Sequence, residues 1–81
     1  MDNYNPPSQE IFNEMKQKAI SIWSSYDNTY GYVTEKLDII EAISNHEGNA
    51  MMFFRMFDNQ NQIKFLVGLS EEAKQYIVSN S

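Results

Sequence analysis

The chain has no cysteine and only one histidine, His46, among its 81 residues. The first absence excludes a disulfide framework, a thiolate nucleophile and zinc sites of the usual cysteine type, and it suits a reducing compartment. The second leaves no partner for a hydrolytic triad or a histidine-based zinc site, so His46, in a polar stretch beside Glu47, is expected as an exposed loop residue. No hydrophobic run approaches the roughly 20 residues that span a bilayer, and Met-Asp-Asn-Tyr-Asn-Pro-Pro at the start has neither a basic nor an apolar leader pattern. A cytoplasmic protein with no membrane partner is the expectation.

Positive charge is also scarce. Six Lys and Arg against eleven Asp and Glu give a formal net charge of −5, and Lys16, Lys18, Lys36, Arg55, Lys64 and Lys74 are scattered along the chain. Such a balance disfavours duplex nucleic acid and anionic lipid. The carboxylates are ordinary in number for a soluble chain, and no Gly-rich phosphate loop or dinucleotide fingerprint accompanies them. Asp58-Asn-Gln-Asn-Gln62 superficially matches the start of a calcium loop. Ile63 stands where that loop needs Gly, however, and Leu69 where it needs a bidentate Glu. Neither enzymatic activity, nor a metal, nor a cofactor is expected.

What the chain does have is 42% hydrophobic residues, including five Phe, five Tyr and one Trp. That is enough for one folded domain over residues 1–81, with 1–7 and 79–81 as loose tails. Pro6-Pro7-Ser8 followed by Glu10 reads as a stop, an N-cap and an acidic first turn, so a helix begins near Gln9. Ile11, Met15, Ala19 and Ile22 form its apolar stripe, flanked by Phe12, Ile20 and Trp23, with Glu14 and Lys18 as an outward i, i+4 pair. Regularity fades near Ser24-Ser25. A second helix starts about Thr34, with Val33, Leu37, Ile40 and Ile43 inward and Glu35, Asp38 and Glu41 outward. Residues 44–49 read as a loop in which Gly48 suits a left-handed position and Asn49 a cap.

Residues 50–69 admit two readings. The short apolar run Ala50–Phe57 has strand length, and a hairpin at about 50–57 and 63–69 would make the domain α+β. Yet Ala50, Met51, Met52 and Met56 are helix formers and no residue from 50 to 57 is β-branched, which favours two short helices. Gly68-Leu69-Ser70-Glu71-Glu72 is a break and N-cap before a last helix through about Val78, with Ala73, Tyr76 and Ile77 inward. The expected fold is all-α, a small compact bundle of about four short helices.

Two features suggest binding. Trp23 to Val33 packs one indole and three phenols around polar groups, and Trp23, Tyr26, Asp27, Asn28, Tyr30 and Tyr32 are candidate contact residues. The same pattern also describes a tight turn whose rings close a small core. Met51, Met52, Phe54 and Met56 lie in a soft apolar block that is either core or a plastic docking surface for a second copy or a target. Arg55 within it needs an anion, which Asp27 or Asp58 could supply internally or a ligand phosphate externally. Arg55 and Lys36, with the tyrosines, could alternatively hold a small nucleotide.

Short, acidic, cysteine-free and rich in Asn, Ile, Lys, Tyr and Phe, the whole chain resembles in general style the small accessory proteins of tailed bacteriophages, without a diagnostic motif. The resemblance implies non-catalytic host interference or counter-defence in the host cytoplasm: inhibition of a host or immunity protein, or sequestration of a signalling nucleotide. The expected function is a small binding protein that inhibits another protein. A sponge for a nucleotide-like ligand and a self-assembling structural subunit are the alternatives.

Overall fold

Ser8 is extended and its hydroxyl accepts from the Ile11 amide at 3.2 Å, the side-chain cap that opens a helix. The computed structural model describes residues 6–25 and 33–81. Helix α1 (Gln9–Ser24) buries Met15, Ala19 and Ile22 along the stripe its spacing dictates, with Ile11, Phe12, Ile20 and Trp23 half-buried beside it. It ends at Ser25, whose amide turns back to the Ser21 and Ile22 carbonyls.

Helix α2 (Val33–Asn45) follows, with Ile43 fully buried and Ile39 packed on the core. Leu37, expected inward, is instead 59% exposed. At 3.6 residues per turn Leu37 lies about 120° round the helix from Ile43, so a face centred on Ile39 and Ile43 leaves it outside.

Among the described residues there is no strand, and 50–69 forms two short helices, α3 (Met51–Arg55) and α4 (Asn59–Leu66). The hairpin alternative fails because Asp58 breaks the run as an N-cap, its Oδ1 accepting from the Asn61 amide at 2.9 Å. With α5 (Glu71–Ser79), the described residues hold five helices rather than about four. Upstream of α3, the Asn49 side chain accepts from the Met51 amide at 2.8 Å, the capping role its position suggested. Gly48 is not at positive φ. A Cβ there would stand 3.0 Å from the His46 ring, which would have to give by a few tenths of an ångström.

Helix α1 packs against all four others, and α3 against α4. The largest fully buried side chains, Phe53, Phe65, Met15, Ile43 and Met51, draw on every helix but α5, which adds Ala73 and Ile77. Edge-on ring contacts join Phe12 to Phe53 at 5.3 Å and Phe54 to Phe65 at 5.6 Å between centroids.

The passage from α4 to α5 is a type II β-turn. Val67 has φ −66° and ψ 125°, Gly68 has φ 84°, and the Leu69 amide closes on the Leu66 carbonyl at 3.3 Å. Glu14 and Lys18, expected to pair with each other, each reach from α1 to this segment. Lys18 Nζ donates to the Val67 carbonyl at 2.6 Å. The Glu14 carboxylate accepts from the Ser70 amide at 2.7 Å and from its hydroxyl at 2.8 Å, while that hydroxyl also caps α5 through the Ala73 amide at 3.1 Å. At the far end, residues 79–81, expected as a tail, continue the helix through Ser79. Beyond it, Asn80 Nδ2 donates to the Tyr76 carbonyl and Ser81 Oγ to that of Ile77.

Two outcomes follow for stability. Gly68→Ala places a Cβ no closer than 3.6 Å to Lys18 Nζ, so the cost is left-handed backbone strain of about 1–2 kcal/mol, read as a lower urea midpoint. Glu14→Ala removes both contacts to Ser70 and should cost about 1–2 kcal/mol by the same measurement. An unchanged midpoint in either variant would contradict the role given to that residue.

Candidate binding surface

A helix leaves its last carbonyls without partners and concentrates partial negative charge there. α1, α2 and α5 have no basic residue in their own last turns, and another helix supplies one in each case. Lys36 of α2 donates to the Ser24 carbonyl of α1 at 3.2 Å, and Lys16 of α1 returns the contact to Ser44 of α2 at 2.9 Å. Arg55 of α3 donates to the Asn80 carbonyl at the end of α5 at 2.9 Å. With Lys18 on Val67, beyond the last residue of α4, four cations sit on helix-terminal carbonyls.

This changes the expected site. Arg55 meets a main-chain carbonyl rather than the Asp58 carboxylate, because Asp58 is engaged as the cap of α4. Lys36 and Arg55, expected together on a ligand anion, are held at the ends of different helices. The carboxylates, in contrast, face outward: Glu10, Asp38, Glu41, Glu47, Asp58, Glu71 and Glu72 are exposed, and Glu14 is half-buried.

Of the aromatic segment, Tyr26, Asp27, Asn28, Tyr30 and Tyr32 lie outside the described residues. Its flanks are placed. The Trp23 ring is half-buried and packs on Phe57 at 6.2 Å, and the Lys36–Ser24 bond joins the two helices that the segment connects. Trp23 is thus partly a core ring.

The apolar block divides residue by residue. Met51 is 1% exposed and belongs to the core, the first of the two readings open for the block, and so does not stand with the outward residues of an interface. A five-residue helix wedged between α1 and α4 must bury one face, and Met51 and Phe53 are on it. Phe54 and Met56 are half-buried against the core. Met52 is 39% exposed, the one of the four that keeps a substantial outward surface. His46 is half-buried rather than exposed, its ring edge-on to Phe53 at 5.3 Å and its Nε2 3.3 Å from the Asn49 carbonyl.

Sequence reasoning did not single out Ile63 and Val67, which are 65% and 64% exposed, or Val78, at 72%. The available signal was the four-residue spacing of Ile63 and Val67, which puts both on the side away from Phe65, two residues from each. An open cleft of about 300 Å³ lies between Pro6, Pro7, Phe12, Lys16, Glu47 and Gly48. Lys16 stands 5.2 Å over the Phe12 ring there, and its donation to Ser44 already engages the ammonium. Among the described residues no group of three His, Asp or Glu could hold a metal ion, and no helix is long and apolar enough to cross a membrane.

Compared with known protein families, with characterised proteins and with solved structures, the chain shows no match.

The division of the apolar block can be measured. Met51→Ala should cost about 2–5 kcal/mol of unfolding free energy, and Met52→Ala should stay within about 0.5 kcal/mol of the parent. Equal losses at the two positions would contradict it.

Proposed function

We propose that this chain is a small non-catalytic binding protein that captures and inhibits another protein through a basic surface of that partner, as its resemblance to phage accessory proteins implies. One observation carries the reading. Four of the six cations are held on main-chain carbonyls while seven of the described carboxylates stand exposed, so the net charge of −5 is presented largely through carboxylates. A field of that sign steers a basic partner and rejects acidic ones. Trp23, Tyr26, Tyr30 and Tyr32 supply the anchoring rings, and Asp27 and nearby carboxylates select the basic surface. A nucleotide sponge would have to recruit Lys36 or Arg55 away from the helix ends they occupy, which counts against it.

Native mass spectrometry of the protein purified gently from its source cell tests this reading. The expected result is a heterocomplex with a basic protein, whose association slows as ionic strength rises and whose affinity falls at least about tenfold in Tyr30→Ala, with no change in the variant's melting temperature. A retained mass of a few hundred daltons in place of a protein, or a complex indifferent to salt, overturns it.

A further inference from the structure

We propose that the surface formed by Ile63 and Lys64 of α4 and by Val67, the residue that caps it, docks on the outer face of α2 bearing Leu37, Asp38 and Glu41 in a second copy of this chain, head to tail. The Val67 amide donates to the Ile63 carbonyl, which keeps the two residues one turn apart at the end of α4, and both are nearly two-thirds exposed. Phe65, on the opposite side of α4, is fully buried and supplies its core contact, so the fold does not require the exposed pair. On α2 the exposed Leu37 sits one turn before Glu41, with Asp38 beside both. α2 and α4 each pack on α1 without substantial contact between them, so both faces remain open on one copy.

Charge selects the occupant. Two copies of a chain carrying −5 repel in most orientations. The twelve residues 59–70 contain no carboxylate and one lysine, Lys64, on the flank of the Ile63–Val67 pair. Setting that stretch against Asp38 and Glu41 brings cation to anions and covers Leu37 with two aliphatic side chains, an apolar centre with a polar rim. An α4-to-α4 or α2-to-α2 pairing would place like charges opposite each other. Because the two faces differ, each copy keeps one free after pairing, and the contact propagates into rings or short filaments. With three aliphatic residues at its centre, association is weak and depends on concentration. The inference is independent of the proposed function and holds whether or not a heterologous partner exists.

Sedimentation velocity on the purified full chain tests it. The parent protein should exceed the mass of one copy as concentration rises toward about 1 mM. Leu37→Ser and Ile63→Ser should each remain a single copy with unchanged circular dichroism and melting temperature, both positions being exposed. Mixing the two variants is decisive, since each keeps the face the other has lost. The mixture should form a 1:1 pair and nothing larger. Lys64→Glu should abolish association, and adding Glu41→Lys to it should restore it. A parent that stays a single copy throughout, association that survives either serine variant, or a mixture that fails to pair overturns the proposal.

Discussion

Every α-helix ends in carbonyls that nothing within it can satisfy, and the five helices of the described residues meet that requirement repeatedly. Here part of the answer is local, from Ser25, Asn80 and Ser81, and part comes from other helices. Lys16 and Lys36 exchange contacts between α1 and α2, Arg55 holds the end of α5, and Lys18 holds the residue after α4. These bonds fix the ends of elements too short to be stable alone, and they set the relative positions of helices whose buried faces would tolerate some sliding. The same arrangement shapes the exterior, because four cations are turned toward the backbone while seven of the described carboxylates stand exposed.

Much of the fold was legible because its signals are local. Ser8 and Ser70 mark helix starts by residue type, and Met15, Ala19 and Ile22 repeat at helical spacing. The absence of β-branched residues from 50 to 57 correctly weighed against a hairpin there. Orientation was harder to read. Leu37 and Ile39 compete for the same inward place, and only the packing of α2 on α1 decides for Ile39. Gly48 looked like a backbone requirement but has no positive φ, and lies against a side chain two residues away.

The candidate surface was less legible for a related reason. Whether Met51 or Met52 faces out depends on which side of a five-residue helix meets α1, and composition cannot show that. The partners of Lys16, Lys18 and Arg55 are carbonyls 28, 49 and 25 residues away, and main-chain groups carry no trace in the sequence of side chains. A sequence reader pairs a cation with the nearest carboxylate. Of the two acids read as internal partners of Arg55, Asp58 instead accepts from the Asn61 amides, and Asp27 lies outside the described residues.

The clasp between Glu14 and Ser70 spans 56 residues of chain. Bringing such distant segments together costs about 3.5 kcal/mol in loop entropy beyond a length-independent constant, before any contact compensates. α1 and α2 are neighbours in sequence and can associate early, whereas α5 docks only after a search through the conformations of everything between. The order of assembly is thereby biased: α5 joins late and, being held by buried Ala73 and Ile77, half-buried Tyr76 and polar clasps, is the element whose amides should open to solvent hydrogen first.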